Sequence, residues 1–100
     1  MIILYSPFPS KEKADRVGKL LLEKKLVACV NLLPANSFFW WKNEIQSEDE
    51  IILLAKTTDF RVEDTRDLIE KEHPYETPCV ISISCKANDK YLNWLEQQVR

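Results

Sequence analysis

The only histidine of the chain lies in the run Lys71-Glu72-His73-Pro74-Tyr75-Glu76-Thr77-Pro78. Near neutral pH an imidazole exchanges a proton or gives a neutral nitrogen to a metal, and an adjacent carboxylate can orient it or act as a second ligand. Pro74 and Pro78 restrict the backbone, so His73, Tyr75 and Glu76 are presented on a pre-set loop. The same residues also read as a structural turn, with His73 meeting helix-end carbonyls and Tyr75 packing as an anchor. Residue types alone favour the turn.

Other chemistry is thinly represented. No CxxC, HxxxH or HExxH spacing is present, so a preformed zinc tetrahedron has no support. Cys79 and Cys85 share one strand face but stand about 20 Å apart, too far for one ion. Cys29 reads as a small core residue, with Cys–His nucleophilic catalysis through His73 as its other use. Lys56 closes an apolar strand and either snorkels to water or projects its ammonium into a cleft near His73. Trp40 and Trp41 suit an interface core more than a pocket lining. Gly18 is the single glycine, which excludes glycine-rich phosphate loops.

These residues must be positioned by the elements around them. Ile2–Ser6 predicts a short buried strand that Pro7 and Pro9 end. Ser10 predicts an N-cap for an amphipathic helix of about fifteen residues, with Ala14, Val17, Gly18, Leu21 and Leu22 inward. Gly18 would let that helix approach a sheet closely. Val27–Leu33 predicts a second strand stopped at Pro34, after which Phe38–Trp41, a turn at Lys42-Asn43 and a return from Glu44 form a hairpin. The return is best defined at Ile51–Thr57, and the acidic group Glu48-Asp49-Glu50 ahead of it reads as a solvated bend or edge. Asp59 predicts the cap of a second helix that runs to Glu72 and is stopped by Pro74. Cys79–Cys85 alternates as a half-buried strand, with Cys79, Ile81, Ile83 and Cys85 on one face. Asn88 opens a last helix with Tyr91, Leu92, Leu95 and Val99 inward and Trp94 on its flank.

That order is an α+β, ferredoxin-like split βαβ sandwich with an extended aromatic hairpin and a short C-terminal helix. Two helices would cover one face of an antiparallel sheet, with right-handed crossovers between parallel neighbours. One domain spanning residues 1–100 fits the length. Fourteen Lys+Arg against sixteen Asp+Glu, a net charge of −2, offer no basic stripe for nucleic acid, and no apolar run is long enough for a membrane helix. Three cysteines in apolar runs suit reduced, buried thiols and a cytoplasmic location. The hairpin presents Phe38 and Trp40 on one face and Phe39 and Trp41 on the other. Either the last helix folds over these rings or a second copy does, and their area favours association.

Taken together, Leu26-Val27-Ala28-Cys29-Val30-Asn31, Trp40-Trp41-Lys42-Asn43-Glu44-Ile45, Lys56-Thr57-Thr58, the His73–Pro78 loop and Tyr91-Leu92-Asn93-Trp94-Leu95 resemble the CutA divalent-cation tolerance family. The resemblance runs along nearly the whole chain. Asn43 stands where that family commonly has glycine. The resemblance implies a homotrimer similar in architecture to PII signalling proteins, with Phe38, Phe39 and Trp41 at the trimer interface. It implies inter-subunit clefts to which Cys29, Trp40, Lys56, His73, Tyr75 and Glu76 contribute. Copper-binding relatives use a first-strand cysteine and a histidine pair; Tyr5 and Glu72-His73 stand in those places here. His73 with Glu72 or Glu76 is therefore the expected ligand set for Cu2+ or a related divalent cation, with no organic cofactor and no enzymatic activity. The other reading is a PII-like sensor or adaptor in which Lys56 and the His73 loop hold an anionic ligand. An enzyme using Cys29 or His73 with Glu76 ranks last, because no nucleophile, base and oxyanion arrangement is recognisable.

Overall fold

Seven main elements build the computed structural model, which describes residues 1–100. They are β1 (Ile2–Phe8), α1 (Lys11–Glu23), β2 (Cys29–Trp41), β3 (Glu44–Thr57), α2 (Val62–Glu72), β4 (Ile81–Ser84) and α3 (Asp89–Gln98). The sheet order is β2-β3-β1-β4, and every neighbouring pair is antiparallel. The α+β split βαβ arrangement expected from the sequence is present. Parallel neighbours are not: strands that run the same way are separated by one antiparallel strand, so each helical crossover skips a position.

Ser10 caps α1 as expected, its hydroxyl accepting from the Lys13 amide at 3.3 Å. Ala14, Val17, Gly18 and Leu21 face inward from this helix. They pack with Leu4, Phe8, Leu53, Ala55 and Ile69 into the core between helices and sheet. At Gly18 an added Cβ would lie 3.1 Å from Val30 Cγ1, so the missing side chain does allow a close approach of α1 to β2. The helix ends in paired bonds from Lys25 N–H to the Leu22 carbonyl and from Leu26 N–H to the Leu21 carbonyl. This is a Schellman motif with Lys25 at φ 60 in the position glycine usually takes.

Several boundaries differ from the sequence expectation. Pro7 lies inside β1, opposite Ile52, because β4 pairs only with Ile2–Tyr5 and leaves no ladder to break beyond it. Pro34 does not stop β2, since an edge strand tolerates a residue without an amide donor on its outer side. Lys42 and Asn43, at φ 49 and 65, form the tight hairpin turn. Asp59 does not cap α2; a 3-10 turn over Asp59–Arg61 comes first, and Asp59 lies 4.0 Å from the N-terminal amine.

The largest correction concerns β4. Ile81 pairs with Tyr5 and Ile83 with Ile3, which puts both isoleucines on the sheet face opposite the buried Leu4 and Leu53. They remain 47% and 46% exposed, so the expected half-buried face is uncovered in one chain. Nor does α3 fold over the hairpin: it packs against β3, while Phe38 and Trp40 stay 71% exposed. No helix is long and apolar enough to cross a membrane.

Candidate functional site

Pro74 holds His73 in extended backbone, φ −74 and ψ 137, at the end of α2. That turns the ring back onto β1, where it stacks on Phe8 with centroids 4.1 Å apart. The Tyr75 amide donates to Nδ1 at 3.1 Å, which assigns the ring proton to Nε2 and makes Nε2 the donor to the Pro7 carbonyl at 2.8 Å. Both nitrogens are thus engaged within the chain. Burial holds the imidazole pKa below 6.5, outweighing the Pro7 bond and the charge of Glu50 that raise it.

Tyr75 leaves the same loop in the other direction. Its hydroxyl donates to Glu50 Oε2 at 2.6 Å. Burial, followed by this bond to Glu50, raises the phenol pKa well above 10. Glu50 itself is only 6% exposed, so the acidic group is not simply a solvated edge. A carboxylate can be buried there because the phenol satisfies it.

Between the hairpin and this loop runs a groove of about 1010 Å³. Tyr5, Trp40 and Trp41 supply aromatic wall, and Glu48, Glu50 and Glu76 supply carboxylates; no lysine, arginine or histidine lines it. The expected metal set does not converge there. Glu72 pairs with Arg16 at 3.6 Å, and His73 is saturated. Glu76 alone of the three lines the groove. No group of three or more His, Cys, Asp or Glu side chains within one chain could hold an ion.

Cys29 and Lys56 belong to a second place. They face each other across β2 and β3, and Lys56 lies six residues beyond Glu50 along β3, about 20 Å away. One chain therefore does not bring Cys29 to His73 as a catalytic pair, nor Lys56 to the His73 loop around one anion. Instead the Lys56 ammonium sits 5.5 Å from the ring centroid of Tyr91 on α3. The Tyr91 hydroxyl is buried beside Cys29 and Lys56. Burial raises its pKa, with Cys29 adding to the rise and Lys56 opposing it. Tyr91 reads in the sequence only as part of an apolar stripe; a phenol among aliphatic positions was the available signal. None of the three free thiols is buried, and Cys79 is exposed at the groove, because the strand it leads into is an edge with an uncovered face.

Comparison with known proteins agrees with this architecture. A family model described as CutA1 divalent ion tolerance protein matches residues 2–98. A divalent-cation tolerance protein CutA from Thermotoga maritima is 40% identical over 100 residues, covering 99% of each chain. CutA1 from Pyrococcus horikoshii superposes with a TM-score of 0.96 at 36% identity, over 100% of this chain and 99% of that one. The PII-like protein CutA from Nostoc sp. PCC 7120, in its apo form, gives 0.93 at 32% identity, over 100% and 98%. With its split βαβ sheet, long aromatic hairpin and near-complete match to the family model, this chain belongs to the CutA1 divalent-ion-tolerance family.

Proposed function

We propose that the chain acts in divalent-cation tolerance as a homotrimeric binding protein, not a catalyst, and that it captures cations, Cu2+ among them, at the acid-lined groove. The observation that carries this reading is the groove itself: three carboxylates and no basic side chain, a field that attracts cations and repels anions. Glu48 and Glu76 are exposed and free to turn toward an ion, and oxygen donors suit divalent cations of moderate hardness. One chain offers too few converging donors. Copies meeting at the aromatic hairpin would complete the set, and this is the role of the trimer. His73 holds the loop that presents Glu76 and is not a ligand. Three free thiols fit a reducing compartment such as the cytoplasm.

Titration calorimetry tests the assignment, with Cu2+ and, to avoid oxidation of Cys79, with Mn2+. Glu48→Gln and Glu76→Gln should each weaken binding by about tenfold or more, whereas folded His73→Gln should bind as the wild type does. Loss of binding in His73→Gln with full binding in both glutamate variants would overturn the groove assignment.

A further inference from the structure

Glu50 is the one buried carboxylate of the chain, 6% exposed. No cation neutralises it, since none of the five ion pairs includes it. The Tyr75 hydroxyl occupies Oε2 alone, at 2.6 Å. Oε1 has no donor, yet it is not sealed inside the protein, and Glu50 lines the groove. The free oxygen therefore opens there. A buried carboxylate oxygen without a donor is costly, and an arriving cation relieves that cost. Glu48 stands two residues earlier on β3 and so shares the same sheet face, about 7 Å away along the strand. It too lines the groove, but it is exposed. The two carboxylates thus differ in freedom: one is fixed and recessed, the other mobile.

We propose that Glu50 is the fixed inner ligand of the groove, that Tyr75 is its positioning residue, and that together they make the groove discriminate against Mg2+. The proposal rests on cation capture at the groove and assigns its selectivity. A recessed oxygen held in one orientation is reached only by an ion that gives up water. Mg2+ dehydrates reluctantly and demands a near-ideal octahedron, whereas larger divalent cations accept irregular oxygen sets. Holding Glu50 before the ion arrives also reduces the entropy lost on binding. Both residues belong to one chain, so the anchor is in place before other copies close the groove and complete the donor set.

Titration calorimetry with Mn2+ and, separately, Mg2+ tests this, together with NMR of the labelled protein at Mn2+ far below one equivalent. The wild type should prefer Mn2+, and paramagnetic broadening should be centred on the Tyr75 ring and Glu50. Glu50→Gln keeps an acceptor for the phenol and should fold normally, yet weaken Mn2+ binding by about tenfold or more and remove the broadening at Tyr75. Tyr75→Phe should weaken Mn2+ more than Mg2+, so that the preference narrows; a merely structural loss would weaken both alike. Wild-type affinity in Glu50→Gln, with binding weakened in Glu48→Gln and Glu76→Gln, would overturn the anchor and leave the groove standing. An unchanged Mn2+ over Mg2+ preference in Tyr75→Phe would overturn the positioning role. No Mn2+ binding by the wild type would overturn the groove and the anchor together. Where Tyr75→Phe does not fold, broadening in the wild type that spares the Tyr75 ring would overturn the proposal.

Discussion

Protonating His73 would break a contact that ties the Tyr75 loop to β1. With Nδ1 accepting from the Tyr75 amide and Nε2 donating to Pro7, an imidazolium would turn Nδ1 from acceptor to donor against another donor. Burial keeps its folded-state pKa below 6.5, the value it regains on unfolding. Above 6.5 neither state binds the proton and the stabilisation is complete. As pH falls through 6.5 the unfolded chain protonates first, so stability drops until the folded-state pKa is passed. Urea midpoints measured from about pH 7 down to about pH 5 should therefore fall, and folded His73→Gln should lose part of that slope. Parallel pH dependence in the two proteins would remove His73 as its source. The special character of this histidine was legible, since a lone imidazole opens a loop restricted by two prolines. Its structural partner was not: Pro7 lies 66 positions away, and only the packing of α2 on β1 joins them.

Helix ends and strand edges show where local pattern stops being informative. The α1 start was readable because Ser10 is a good acceptor, but its end was hidden, since a lysine occupies the left-handed position that glycine would have marked. Lys25→Gly should remove that backbone cost and raise stability by about 0.5–1 kcal/mol, while Lys25→Val should lower it by at least about 1 kcal/mol. Denaturant unfolding monitored by circular dichroism checks both, and equal midpoints would mean that the positive φ carries no strain. Pro34 and β4 failed as signals for a related reason. Proline ends a central strand but not an edge strand, and the alternation at Cys79–Cys85 gives the period without saying which sheet face is covered. Only register resolves that.

At the scale of the whole molecule, the hairpin stretches the chain to 45 × 23 × 20 Å, with a radius of gyration of 14.0 Å against about 13 Å for a compact chain of this length. α1 and α2 cover one sheet face. On the other, Leu33, Ile81 and Ile83 lie about half exposed, and the hairpin adds four exposed aromatic rings. An apolar surface of that kind is characteristic of an interface, and a second copy is the occupant that the aromatic hairpin favoured in the sequence. Because Ile81 and Ile83 are not enclosed within one chain, aspartate at either position leaves the core intact, yet a charge trapped at an interface costs several kcal/mol. Sedimentation equilibrium should give a wild-type species at three times the 11.8 kDa of one chain. The Ile81→Asp and Ile83→Asp variants should shift toward one-chain mass while keeping native circular dichroism at low temperature. A folded one-chain wild type would leave the uncovered face to some other partner, and an undisturbed trimer in both variants would place the contact on the hairpin alone.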